Sequence, residues 1–112
     1  DQKLCPVRKT SIEYGTQKCR EFSRRVNTVD GKGLGLQARF EPLKLWMPCA
    51  IFCKHKNSTS YFSPRVELHN VGIDPYFPDG TWCNREGNVN YFCLQHHCLP
   101  EVITTKCSAI NF

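Results

Sequence analysis

Eight cysteines in a chain of 112 residues constrain the fold more than any other feature. An even count at that density marks a secreted disulfide scaffold, because cytosolic thiols are kept reduced. A chain of this length makes one compact domain or two very small ones, and such a domain buries too little apolar surface to be stable without staples. Each native disulfide contributes about 2–4 kcal/mol, so four would supply much of the net stability. Eight cysteines can pair in about a hundred ways, and at this point nothing chooses among them. The densest apolar run, Leu43 to Cys53, is broken by Lys44 and Pro48, so neither a membrane span nor a membrane partner is expected. With no leader-like stretch ahead of it, Asp1 reads as the mature start after processing.

The net charge of +5 hides an asymmetry. Residues 1–56 hold 12 Lys/Arg against 5 Asp/Glu, and residues 57–112 hold 3 against 5. The basic side chains Arg8, Lys9, Lys18, Arg20, Arg24, Arg25 and Lys32 match no nucleic-acid-binding motif. Charge alone steers an encounter without identifying the partner. Nucleic acid is therefore set aside, and an anionic protein surface or a glycosaminoglycan fits better. A solvated face that keeps a small protein in solution fits best of all.

Turn punctuation organises the chain. Val26-Asn27-Thr28-Val29, then Asp30-Gly31, reads as a hairpin, since Asp-Gly between strand-like runs accepts the positive torsions of a two-residue turn. Its second arm would alternate Leu34, Leu36, Ala38 and Phe40 against Gly35, Gln37, Arg39 and Glu41, the period of a half-buried strand. The first arm, around Cys19, Phe22 and Val26, has spacings that a short helix satisfies as well. Cys49, Ile51 and Cys53 alternate as on a short strand, although one helical turn also fits. Tyr61 to Leu68 is a further strand candidate that Pro64 interrupts. Past Asn70 come Asp74-Pro75 and Pro78-Asp79-Gly80, turn dipeptides with a torsional basis, and then the cysteine-dense tail Cys83, Cys93, Cys98, Cys107. The expected fold is small, disulfide-rich and mainly β. Residues 1–72 form an N-terminal basic part with a hairpin and sheet, and residues 73–112 a disulfide-stapled C-terminal module, the two being readable also as one continuous domain.

Catalysis finds no footing. All eight cysteines are better used as bridges, and there is no Gly-x-Ser-x-Gly elbow. Zinc is suggested by His96-His97 beside Cys93 and Cys98, with His55 beside Cys53. Oxidised cysteines cannot serve as thiolate ligands, however, and adjacent histidines on a strand point apart. Gly31-Lys32-Gly33-Leu34-Gly35 lacks the Gly-Lys-Ser/Thr ending of a phosphate cradle and reads as a flexible hairpin arm. The expectation is no catalytic residue, no metal and no cofactor.

Two features point to binding. Asn57-Ser58-Thr59 is a glycosylation acceptor in a polar loop, which would place Asn57 at the surface. Aromatics are in excess: Tyr61-Phe62, Tyr76-Phe77 and Tyr91-Phe92 recur as pairs, with Trp46 and Trp82 besides. In an extended segment one ring of each pair faces outward, and exposed aromatics beside arginine compose binding hot spots. Tyr61, Phe62 and Arg65 are the expected anchors of a partner and Arg24 and Arg25 its steering charges. Tyr76, Phe77 and Trp82 are the next candidates.

The tail also carries a resemblance. Phe77-Pro78-Asp79-Gly80-Thr81-Trp82-Cys83, then Tyr91-Phe92-Cys93, then Cys98-Leu99-Pro100 resembles the carboxyl-terminal signature of small cysteine-rich proteins of tick saliva, a group that includes the CirpT complement inhibitors with their von Willebrand factor C-like module. The Cys-x4-Cys-x8-Cys ending and the earlier Cys49-x3-Cys53 are similar to the class A evasins, which bind chemokines. The chain departs from the evasins in having one cysteine fewer between the positions of Cys83 and Cys98, where only Cys93 stands, and in having Cys19, which favours the CirpT-like group. The turn signature is also similar to cysteine-rich modules of ADAMTS-type metalloproteases, and a shared scaffold need not mean a shared partner. Beyond the tail the likeness rests on cysteine order alone.

The resemblance implies a secreted monomer with a von Willebrand factor C-like tail that inhibits host complement, by binding component five and sterically blocking its activation. The alternatives are a chemokine-binding protein and an inhibitor of a coagulation or complement serine protease presenting Lys18, Arg20 or Arg65. The evasin likeness and the tail spacing pair Cys83 with Cys98 and Cys93 with Cys107. Cys5 with Cys53 and Cys19 with Cys49 are then favoured, and no bridge joins the first four cysteines to the last four.

Overall fold

The computed structural model describes residues 10–101. Its first element is a helix, α1, Ser11–Phe22. Thr10 starts it with a capping box: its Oγ1 accepts from the Glu13 N–H (3.1 Å) while the Glu13 carboxylate accepts from the Thr10 N–H (2.9 Å), which satisfies two of the N–H groups a helix start leaves orphaned. Gly15, Cys19 and Phe22 recur at helical spacing and are the buried residues of α1. The Cys19, Phe22 and Val26 spacing, which fitted arm or helix, is therefore helical as far as Phe22, and Val26 follows in a turn whose N–H reaches the Phe22 carbonyl.

The expected hairpin about Asp30-Gly31 does not form. The segment before Asp30 is helix as far as Phe22 and turn beyond it, and Val29 makes an isolated bridge with His55 instead. A tight turn is there all the same: the Asp30 carboxylate accepts from the Lys32 N–H at 2.9 Å and lies 3.3 Å from the Lys54 ammonium. These contacts, the Lys32 N–H first, hold the Asp30 carboxyl below its ordinary range. The turn leads into strand β1, Gly35–Gln37, which pairs with β2, Ile51–Lys54. The expected alternation fails at its start, although Arg39 is exposed between half-buried Ala38 and Phe40 as expected. Leu34 is 52% exposed while Gly35 is buried, because α1 crosses β1 where Gly15 meets Gly35 backbone to backbone and only glycine permits that approach.

Strand β2 is the middle of an antiparallel sheet β1-β2-β3, with β3 at Tyr61–Phe62. Cys53 stands opposite Gly35 on one side and Phe62 on the other. The strand candidate over Tyr61 to Leu68 stops at Phe62, since Pro64 cannot donate to a ladder, and α2, Arg65–Asn70, starts directly after it. Leu68 of α2 joins Cys19, Phe22, Val26, Val29, Ile51, Cys53 and Phe77 in the main core.

The tail is a second antiparallel sheet, β4 (Trp82–Glu86), β5 (Val89–Leu94) and β6 (His97–Pro100), with β5 central. Its entry is the Pro78-Asp79-Gly80 turn, where Gly80 takes φ +93° and the buried Thr81 hydroxyl donates to the Pro78 carbonyl at 2.7 Å. The Gln37 amide donates to the carbonyls of Pro48 and Trp82, at 2.8 and 2.9 Å, so one side chain from β1 reaches the start of β4.

Three disulfides lie among the described residues: Cys19 to Cys53, Cys49 to Cys93 and Cys83 to Cys98. The third agrees with the expected pairing. The other expected pairs fall. Cys19 is not paired with Cys49, because Cys53 on the buried face of β2 stands under α1 with Cα atoms 5.7 Å apart. Cys49, at the end of a 3-10 turn Met47–Cys49, packs instead with the tail cysteines. Cys53 and Cys93 are thereby taken, which removes Cys5 with Cys53 and Cys93 with Cys107; Cys5 and Cys107 themselves lie outside the described residues. The Cys49 to Cys93 bridge also overturns the expectation that no bridge joins the first four cysteines to the last four. The fold is small, mainly β and disulfide-bonded, and no helix among the described residues is long and apolar enough to cross a membrane.

Candidate binding surface

Four segments distant in sequence bring flat side chains together on one surface. Trp46 caps the 3-10 turn ahead of Pro48, and Arg65 opens α2. Tyr76 is fixed by its N–H to the Asp74 carboxylate (3.0 Å) and by a backbone bridge with Ala50. His96 sits in the turn between β5 and β6. The Arg65 guanidinium lies 3.5 Å above the Trp46 ring and donates to the Tyr76 hydroxyl at 3.4 Å. Tyr76 and His96 stack with centroids 3.7 Å apart and planes 10° from parallel. His96 Nε2 is 3.8 Å from the Asp74 carboxylate.

The Trp46 to Arg65 contact is a cation–π pair, whose attraction runs from about 0.5–1 kcal/mol when exposed to about 2 when desolvated. It also holds the guanidinium in one plane. The hairpin tip carries a visible cost. Gln95 and His96 both have positive φ, 50° and 71°, at the two positions where a tight hairpin ordinarily uses Asn-Gly. The tip is held there by the Gln95 N–H donated to the Asp79 carboxylate (2.9 Å) and by the Tyr76 stack. Strained backbone maintained by specific contacts is where functional side chains are commonly aimed.

Beside the stack opens a shallow groove of about 700 Å³, lined among others by Arg65, Val66, His69, Ile73, Tyr76 and His96. Val66 is 71% exposed. A second groove of about 820 Å³ runs along α1, where Ile12 and Leu34 are exposed beside Arg20 and Arg24; the two share no lining residue.

The residues expected to bind a partner are thus divided. Arg65 and Tyr76 meet at the first groove, and Arg24 lines the second with Arg25 exposed next to it. Tyr61 is 37% exposed at the sheet edge opposite Lys54, outside both grooves. Phe62 packs on the main core and against His55. Trp82 is half-buried, its indole N–H donated to Asn90 at 2.9 Å. Phe77 is a correction: at 1% exposure it belongs to the core, its ring facing Tyr14, and it cannot meet a partner. Asn57 is exposed in the turn between β2 and β3. Trp46 and His96 were not among the expected binding residues, although Gln95-His96 between two strand-like runs has the length of a tight turn. The sulfurs of Cys49, Cys83 and Cys93 lie within 4.8 Å of one another, but they belong to two disulfides and so bear no thiolate charge for a metal.

Comparison of the chain with protein-family models, with curated proteins and with solved structures finds no match in any of the three.

Proposed function

We propose that this chain is a secreted, non-catalytic binding protein that inhibits host complement by engaging component five and sterically blocking its activation. The observation that carries the binding reading is the Trp46, Arg65, Tyr76 and His96 stack beside an open groove. Tryptophan, tyrosine and arginine are the residues that dominate binding hot spots, and here they are held in fixed planes, so little side-chain freedom remains to be lost on association. A standard interface needs about 800 Å² per partner, roughly a tenth of the 7569 Å² this fold exposes. The resemblance of the tail to the CirpT group selects component five. In this reading the β4-β5-β6 sheet is the von Willebrand factor C-like module, Asn57 carries a glycan, and the protein acts as a monomer.

Chemokine binding is the second reading: of the two tail pairings the evasin likeness implied, Cys83 with Cys98 is present, while Cys93 is bonded to Cys49 and not to Cys107. Protease inhibition is weaker. A protease cleft takes an extended loop, whereas Lys18 and Arg20 lie on α1 and Arg65 opens α2.

The test is a pull-down from serum with the immobilised protein, followed by surface plasmon resonance with purified component five and with a panel of chemokines. Capture of component five, weakened by Trp46→Ala and Tyr76→Ala, is the expected result. Binding to a chemokine in its place, or capture of component five that both variants leave unchanged, overturns the proposal.

A further inference from the structure

The Arg65 guanidinium carries more information than its place in a hot spot. Its plane is set by Trp46 at 3.5 Å, and it makes one long hydrogen bond, 3.4 Å, through Nη1 to the Tyr76 hydroxyl. Among the described residues it has no carboxylate partner, and its other N–H donors have no acceptor. By contrast, Lys18 and Lys54 are paired with Glu21 and Asp30, and His96 stands beside Asp74. A guanidinium presents its donors as a rigid fork matched to a carboxylate, and stacking on an aromatic face fixes the fork without using the donors. Next to it the groove is walled by Val66 and Ile73, which supply apolar surface. His69 and Asp74 also line it; the Asp74 carboxylate accepts from the Tyr76 N–H, has His96 Nε2 at 3.8 Å and is still 68% exposed, so Arg65 is the permanent cation of the groove rather than its one charge.

Resting on the binding reading above, we propose that this groove takes an acidic segment of the partner protein, an Asp or Glu carboxylate on the Arg65 fork with a neighbouring apolar side chain over Val66 and Ile73. Lysine at position 65 would keep the charge and lose both the fork and the flat seat on Trp46.

The test starts from a phage library of random short peptides selected on the full protein. A selected peptide is then synthesised with its acidic residue intact and as the amide, Asn for Asp or Gln for Glu, and titrated against wild type, Arg65→Lys and Arg65→Gln, each checked for native circular dichroism. The expected result is a pool rich in acidic residues. The amide should bind wild type about tenfold to a hundredfold more weakly and Arg65→Gln no more weakly than the acid does. Peptides without a carboxylate that still depend on Tyr76 overturn the carboxylate while the binding surface stands. An amide that binds wild type as well as the acid, or a library with no enrichment, overturns the inference too. Failure to capture component five while acidic peptides are still selected removes the proposed partner alone.

Discussion

Replacing Gly35 by alanine should break the seat of the helix on the sheet. The added Cβ would stand 2.6 Å from the Thr16 nitrogen and closer still to the carbonyl carbon and oxygen of Gly15. All of these are backbone atoms of α1, so no side chain can swing away. Restoring an ordinary 3.4 Å to Thr16 alone requires α1 to lift by about 0.8 Å. The Cys19 to Cys53 bridge and the Gly35 N–H donated to the Thr16 hydroxyl at 3.0 Å oppose that movement. Overpacking typically costs about 1–3 kcal/mol, and a clash with backbone belongs at the upper end. A loss of about 3 kcal/mol is a large share of a small domain's stability and lowers Tm by roughly 12–24 °C. The control is Gly15→Ala on the other side of the same crossing. Its Cβ meets the Gly35 backbone at 3.3 Å, tight but tolerable, and alanine regains up to about 1 kcal/mol of helix propensity. That variant should stay within about 1 kcal/mol of wild type. Thermal and urea unfolding by circular dichroism measure both, and Gly35→Ala matching Gly15→Ala would refute the close-approach argument.

Removing the Cys49 to Cys93 bridge by a double alanine substitution should cost about 4 kcal/mol and removing Cys83 to Cys98 about 3, because their sequence separations are 44 and 15; reversed urea midpoints would rule out loop entropy as the source. Tyr91 has its hydroxyl pKa raised above 10.0 by desolvation and by donation to Glu86. A raised folded-state value means its stability contribution is complete below pH 10 and lost as pH rises through that value, so in an absorbance titration Tyr91→Phe should delete a phenol that ionises above the ordinary range. Asp30 has the opposite sign: its depressed value gives stability present above pH 3.8 and lost as pH falls, so Asp30→Asn should flatten the acid limb of the unfolding profile. On a captured partner, charge reversal at Arg24 and Arg25 should slow association. Alanine at Trp46, Arg65 or Tyr76 should speed dissociation, at roughly thirtyfold in affinity for a hot spot, while Tyr61→Ala should do neither.

The sequence by itself determined what is local or compositional. Cysteine density implied bridges, Pro78-Asp79-Gly80 implied the turn before β4, and Pro64 marked a break where a strand gives way to α2. Tyr76-Phe77 implied one outward ring without saying which, and only the structure shows Tyr76 half-buried at the surface and Phe77 in the core. The Asp30-Gly31 turn was legible too, though not what it joins. Asp-Gly specifies a bend, but the pairing of the flanking segments is decided elsewhere: α1 runs to Phe22, and Val29 bridges to His55 beyond the end of β2 rather than to the segment after the bend. Leu34 and Gly35 show how a period-two pattern misleads when the nearest neighbour is a helix backbone: burial of Gly35 follows from proximity to Gly15, which no one-dimensional period encodes. Bridge partners are the plainest case. Cys49 and Cys53 are four residues apart, yet a bend after a 3-10 turn sends one to the tail and the other under α1, because a disulfide needs its Cα atoms about 4.4–6.8 Å apart and only packing decides which sulfurs come that close. The binding surface is tertiary for the same reason. Arg65 and Tyr76 could be named from composition, but Trp46, Arg65, Tyr76 and His96 come from four segments, and a stack is a matter of distance and plane.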